Sequence, residues 1–230
     1  MSIIIALLIF SLIVLFHEFG HFLLAKKNGI TVVEFSLGMG PRLLSFDKGG
    51  TKYSWKLLPF GGSCMMLGED EGTMEPGAFA AASVWARISV IAAGPVFNFI
   101  LAFVLSMFII GSIGYDKPVI LQVSDGYPAA EAGLKEGDIV KKINHSNIHV
   151  AREVTNYVTF HQKQSVTMTV ERDGKDITVQ MDPVANESGR YIFGISCSSN
   201  YREKCGILGT LKYSAYEVKY WIQLTIESIK

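Results

Sequence analysis

Residues 3–25 read IIIALLIFSLIVLFHEFGHFLLA, an apolar run whose only ionisable groups are His17, Glu18 and His21. As a helix rising ~1.5 Å per residue the run is ~34 Å long, enough to span a bilayer core. A cleaved secretory signal would carry a basic n-region and a small-residue cleavage site. Here only Met1 and Ser2 come first, and the apolar core continues through the charged motif. The stretch therefore reads as a retained transmembrane helix within a first segment of residues 1–27. Each charged group near mid-membrane costs ~2.5–3.5 kcal/mol on insertion scales, so three ionisable side chains there need a joint reason. The pattern HExxH supplies one. His17 and His21 stand at i and i+4 on one helix face, a spacing at which both bind one zinc ion. Glu18 is offset by about 100° and is placed as general base on a water activated by the metal. The rival reading, chance occurrence of a short motif, does not explain why its residues sit in lipid.

The 230 residues are 49% hydrophobic and only 18% charged, more apolar than an ordinary soluble domain. Lys+Arg and Asp+Glu are 21 each, and nothing in that balance suggests nucleic acid. Three cysteines without a CxxC exclude a disulfide framework. Cys64 reads as a small buried residue. Cys197 and Cys205 can pair only if their segment faces an oxidising compartment.

Lys26 and Lys27 follow the first helix, and the positive-inside rule puts that end in the cytoplasm. Residues 28–87 form a cytoplasmic-side loop. Together with Lys26 and Lys27 it holds seven Lys or Arg, as that side requires. Within it, Lys48-Gly49-Gly50 is a turn signal between β-prone runs 42–47 and 51–58, with Tyr53, Trp55 and Leu57 alternating onto one face. Composition leaves two placements open for this hairpin, in the membrane interface or in solvent. Glu69-Asp70-Glu71 reads as a solvated acidic face. Residues 88–110 are a second membrane-length run. Inside it Gly94-Pro95 breaks the backbone ladder, and Asn98 adds an amide one turn on. An ordinary packing kink is one reading; a polar lining to the cavity of the HExxH motif is the preferred one.

Beyond residue 111 charges and turns return. Short strands are predicted at 119–123, 139–143, 165–172 and 175–181, with Asp173-Gly174 as a hairpin turn and a helix over 151–161. This is a soluble α+β domain over 115–185, outside the cytoplasm by topology, followed by a linker over 186–206. His145, His149 and His161 are scattered and read as surface or packing residues. Residues 207–230 carry five charges, too many for a third span. Apolar residues there recur every three or four positions, so an amphipathic helix is expected, with Tyr213, Tyr216, Tyr220 and Trp221 as interfacial aromatics, lying either on the membrane or on the domain before it.

Four stretches, in this order, resemble the site-2 protease family of intramembrane zinc metalloproteases, of the regulator of sigma-E protease (RseP) type. They are HEFGHFLLAKKNGI at 17–30, Gly38-Met39-Gly40-Pro41 with the hairpin through Pro59-Phe60-Gly61-Gly62, AGPVFNF at 93–99, and PAAEAGLKEGDIVKKINHSNI at 128–148. The second is similar to the family's membrane re-entrant β-hairpin, the fourth to a PDZ signature. The resemblance implies an α-helical, multi-pass protein of the bacterial inner (plasma) membrane. Two transmembrane helices, a membrane-associated β-hairpin and an extracytoplasmic, soluble α+β PDZ-like domain would lie in this chain. It implies a Zn2+-dependent endopeptidase that cleaves transmembrane segments of membrane-anchored protein substrates, such as anti-sigma factors or remnant signal peptides. His17 and His21 would be metal ligands and Glu18 catalytic. Asn98, Gly94, Pro95, Gly38 and Gly40 would line the substrate path, a hairpin strand would pair with unwound substrate, and the PDZ-like domain would screen substrates or take peptide ends. The family's third zinc ligand is an aspartate in an LDG motif on a later helix, and no LDG occurs here. The expectation is a chain truncated before that helix, or a short natural form, inactive or nearly so by itself. The alternative is a membrane-anchored PDZ peptide-binding module without catalysis.

Overall fold

The structure is a computed structural model and describes residues 2–69, 73–186, 188–197 and 201–229. Asp70 and Glu71 of the acidic cluster lie outside these residues. The chain divides into two units, Met1–Ala102 and Phe103–Lys230.

In the first unit, helix α1 (Ser2–Lys27) leads into strands β1 (Val32–Lys48) and β2 (Thr51–Met66), and helix α2 (Val84–Ile113) begins beyond them. Both helices are long and apolar enough to cross a membrane. Leucines, isoleucines and phenylalanines stand exposed around α1 and along α2. A helix apolar on all sides with that surface uncovered is one whose solvent is lipid.

The hairpin turns at Gly49 and Gly50, both at positive φ, as the sequence predicts. The strands run farther than the predicted 42–58 and fold back on themselves. Residues 34–37 pair in opposite directions with 62–65, and on their other side they face 52–55 in rising order. Residues 44–48 pair with 51–55. The result is a small curled sheet in which 34–37 and 52–55 are central and 62–66 forms an edge. Gly38 makes the fold-back possible. Its φ is +86°, and a Cβ there would lie 2.3 Å from the Leu58 carbonyl oxygen, so only glycine fits. Inside the curl the buried Glu34 carboxylate accepts from Arg42 Nη2 at 3.0 Å, and Arg42 Nε donates to Ser54 Oγ at 3.1 Å.

The base of the sheet is pinned to both helices. Ala25, Ile30, Val32, Cys64, Met66 and Val90 form one buried cluster. Farther along α1, Ser11 Oγ donates to the Pro59 carbonyl at 2.8 Å.

The second unit is α+β, as predicted. A four-stranded antiparallel sheet has the order β6 (Ser146–Asn147), β5 (Ile139–Ile143), β7 (Val166–Arg172), β8 (Lys175–Met181). Period-2 alternation sends Val166, Met168 and Val170 inward, each at most 1% exposed. A short helix α3 (Pro128–Glu131) and helix α4 (Ala151–Phe160) cover the core. Residues 186–206 are not the linker their polar composition suggests. They contain β10 (Tyr191–Ile192), β11 (Ile195–Cys197) and β12 (Arg202–Glu203), which pair with β9 (Val184–Ala185), β4 (Ile120–Val123) and β3 (Tyr115–Asp116) respectively. Asn186 Oδ1 accepts from the backbone N–H groups of Ser188 and Arg190, which makes the turn, and Phe193 enters the core. The domain therefore continues past residue 185. Cys197 and Cys205 are free thiols, and burial pushes the Cys197 thiol up to about 11.

Of the two placements open to it, helix α5 (Ile207–Ile229) takes the one against this unit. Tyr213 stacks on Tyr115 at 3.5 Å, Tyr216 on His149 at 3.7 Å, and Tyr220 is buried. Arg152 of α4 binds Asp116 at 2.9 Å and Glu217 of α5 at 2.6 Å. His161 stacks on Tyr157, and His145 is exposed, so the three histidines are packing or surface residues.

Asp138, 1% exposed, accepts two bonds of 2.7 Å from Arg172 and one of 2.9 Å from the Lys135 N–H. Burial alone would raise its carboxyl, but the guanidinium and the N–H outweigh it and hold the pKa below the ordinary value. A carboxyl depressed in the folded state stabilises above its unfolded pKa, and that contribution is lost as pH falls toward the native value. Asp138→Ala is expected to lower stability by about 3 kcal/mol at pH 7, with the gap to wild type shrinking below about pH 4. Denaturant unfolding of both proteins at pH 7 and pH 3 checks this, and an equal gap at both would overturn it.

Candidate active site

The two histidines of α1 meet α2 at a close approach of the two helices. Gly20 of α1 makes room on one side. A Cβ there would lie 2.6 Å from the Ala93 carbonyl oxygen and 3.0 Å from the Phe97 ring. Gly94 makes room on the other. A Cβ there would lie 2.5 Å from His21 Nε2 and 2.6 Å from His17 Nε2. Both Nε2 atoms thus border the same spot beside the Gly94 backbone. Small residues at facing positions are what lets membrane helices come this near.

His21 has a fixed tautomer. Its Nδ1 lies 2.7 Å from the Val90 carbonyl oxygen, an acceptor only, so Nδ1–H donates and Nε2 keeps its lone pair. His17 Nδ1 lies 3.2 Å from Asn98 Nδ2. The other end of that amide, Oδ1, is buried without a partner. Gly94 and Asn98 are one turn apart and share a face of α2.

Glu18 turns toward the hairpin. A Cβ on Gly62 would lie 3.6 Å from Glu18 Cγ and 3.8 Å from Val14. The general-base candidate therefore stands between the metal-ligand candidates and the edge strand 62–66.

Of the predicted site residues, the structure brings together His17, His21, Gly94 and Asn98, with Glu18 beside them. Pro95 sits inside α2, where it leaves the Ile91 carbonyl without its helical donor. Gly38 and Gly40 lie at the bend of the hairpin and serve its backbone path. Sequence reasoning missed Gly20, Gly62 and the Val90 carbonyl. A glycine inside an apolar helix was a usable signal for the first; a main-chain carbonyl leaves none.

Two imidazole nitrogens bordering one spot, one of them with its lone pair fixed from behind by the Val90 carbonyl, are a donor set that fits zinc. Among the described residues no group of three His, Cys, Asp or Glu side chains gathers as a metal site, so this pair supplies two ligands.

Gly94→Ala is expected to push the rings apart and cut zinc uptake at least tenfold. Gly111→Ala in the same helix, where a Cβ meets only Thr210 Cγ2 at 3.8 Å, should leave uptake unchanged. Metal analysis of purified variants against wild type decides it, and equal zinc in Gly94→Ala would overturn the geometry.

The comparisons with known proteins agree with this chemistry. The model of peptidase family M50 matches residues 5–229. A Clostridium acetobutylicum protein provisionally named a zinc metalloprotease is 34% identical over all of this chain and 67% of its own length. Zinc metalloprotease RasP of Geobacillus kaustophilus is 30% identical over 96% of this chain and 71% of that protein. Regulator of sigma-W protease RasP of Bacillus subtilis is 28% identical over 91% and 69% respectively. Among solved structures, the PDZ domain of an SdrC-like protein from Listeria monocytogenes is matched at 21% identity and TM-score 0.33. That match covers 36% of this chain and 90% of that domain. Matched along nearly its whole length, the chain belongs to peptidase family M50.

Proposed function

We propose that His17 and His21 are zinc ligands and Glu18 the general base of an intramembrane endopeptidase that cuts membrane-anchored proteins within their transmembrane segments. The observation that carries this is the convergence of both Nε2 atoms beside Gly94, inside two helices of membrane length. Zinc, when bound, supplies a Lewis acid that polarises the peptide carbonyl and acidifies water. The protein's own residues do the rest. Glu18 takes the proton of the attacking water and returns one to the leaving amine. The close helix crossing keeps the apolar surroundings around the reaction.

A transmembrane substrate arrives as a helix, with its carbonyls engaged in the helical ladder. It must be unwound before attack, and the edge strand 62–66 offers backbone groups for an extended segment to pair with. That edge lies beside Glu18, which supports it as the substrate platform. Gly94 and Pro95, with the bend at Gly38 and Gly40, shape the same path. The α+β unit is read as PDZ-like. A groove of about 540 Å³ between α4 and residues 190–197, lined by Val154, Val158, Ile192 and Phe193, suits a peptide end. Lys26 and Lys27 support a plasma-membrane orientation with this end of α1 in the cytoplasm and the α+β unit outside. Anti-sigma factors and remnant signal peptides fit as substrates.

A second reading, a membrane-anchored peptide-binding module without catalysis, is favoured by one observation: only two of the metal's ligands are found among the described residues.

Glu18→Gln separates the two. In the native membrane, cleavage of an anchored reporter is expected to fall at least ~10²-fold while zinc content stays that of wild type. Cleavage that survives the substitution would remove Glu18 from the chemistry, and absence of cleavage in wild type would favour the binding module. The 230 residues in isolation are expected to hold zinc weakly and to turn over a transmembrane peptide near the detection limit. Glu18-dependent turnover of that chain at an appreciable rate would contradict this.

A further inference from the structure

We infer that Asn98 is a positioning residue that sets the tautomer of His17, accepting the ring Nδ1–H on its amide oxygen as the Val90 carbonyl does for His21. The inference rests on His17 and His21 being zinc ligands.

The two rings have unequal neighbours. His21 Nδ1 meets a main-chain carbonyl, which cannot donate, so its proton is on Nδ1 whether or not metal is present. His17 Nδ1 meets a primary amide at 3.2 Å, which can do either. With Asn98 Nδ2 toward the ring, the amide donates, Nδ1 must accept, and the ring proton moves to Nε2. That proton would then occupy the side of the ring that borders Gly94 and His21, and His17 could not bind metal. The same orientation leaves Asn98 Oδ1 buried without a donor, which is unfavourable.

The amide nitrogen and oxygen have nearly the same shape, so a half-turn about the terminal bond exchanges them without repacking. Oδ1 then faces His17 Nδ1. The ring proton settles on Nδ1, and Nε2 turns its lone pair to the spot that His21 Nε2 also borders. Both ligands are then in one tautomer, each held from behind by an oxygen on α2, one from the main chain and one from a side chain. Asn98 reaches His17 because it lies one turn beyond Gly94 on the same helix face. The contact that admits the rings and the contact that orients one of them come from a single stripe of α2. An oxygen behind a ligating imidazole fixes ring orientation and raises basicity, and its loss typically costs 10–100-fold in metal affinity.

The test uses the protein in detergent with 15N-labelled histidine. Zinc affinity is read by chelator competition, and the proton-bearing ring nitrogen by two-bond 1H–15N correlation. In wild type, zinc-loaded His17 should carry its proton on Nδ1. Asn98→Leu should lose 10–100-fold in zinc affinity and let the His17 proton distribute over both nitrogens, while His21 keeps Nδ1–H. Asn98→Asp keeps an acceptor oxygen and should restore both readouts; it also stands in if Asn98→Leu does not fold. Wild-type affinity in Asn98→Leu, failure of Asn98→Asp to support Nδ1–H, or a loaded His17 protonated on Nε2 would each overturn the inference. A wild-type protein that takes up no zinc would instead overturn the ligand assignment itself, and the inference with it.

Discussion

Two backbone contacts set the first unit, Gly20 against the Ala93 carbonyl and Gly94 against the rings of His17 and His21. In lipid, apolar side chains gain little by meeting each other, so helices hold together through close packing and hydrogen bonds. Glycine at both contacts removes the methyl groups that would separate the axes. What fills the gap is polar: two imidazoles, an asparagine and the Val90 main-chain carbonyl. Each is expensive in hydrocarbon and each is shielded by the same close approach. The crossing and the site are therefore one structure. A change that loosens the helices also exposes the histidines to lipid and moves Val90 and Asn98 away from them.

Much of the site was legible because its chemistry is carried by side chains at helical spacing. His17, Glu18 and His21 announce themselves by being ionisable in an apolar run, and Asn98 by being an amide four residues past a glycine. The turn at Gly49-Gly50 was equally plain. What escaped was carried by the main chain or by tertiary pairing. The Val90 carbonyl has no residue type of its own. The fold-back of the hairpin depends on residues 34–37 pairing on both sides, which no periodicity within 42–58 encodes. Residues 186–206 read as linker because serine, asparagine and glycine recur through them. Their strands exist because Phe193 and Ile195 reach the core and Asn186 closes a turn.

The second unit shows a different use of polar groups. Arg152 sits where Asp116, Glu217 and Tyr220 converge, and the two carboxylates hold its guanidinium firmly protonated against the pull of burial. Neither Asp116 nor Glu217 alone marks a strand or a helix face in the sequence. Together they fix α5 against the α+β core in one register, with Tyr213 and Tyr216 stacked alongside. Three of the four aromatic residues, Tyr213, Tyr216 and Tyr220, are thereby spent on protein, and the outward face of α5 keeps Trp221 with aliphatic side chains such as Ile222 and Ile226.

The curled hairpin also has a history in time. Its outer arm, 44–48 with 51–55, closes over a two-residue turn and can zip within microseconds. The central pairing of 34–37 and the edge 62–66 close far longer loops, and loop-closure entropy delays them. Loop-closure entropy thus predicts that the edge beside Glu18 forms after the arm next to the turn. The whole hairpin also precedes α2 in the chain, so a nascent protein can make the ledge on which an extended peptide could lie before Val90, Gly94 and Asn98 arrive to complete the histidine site.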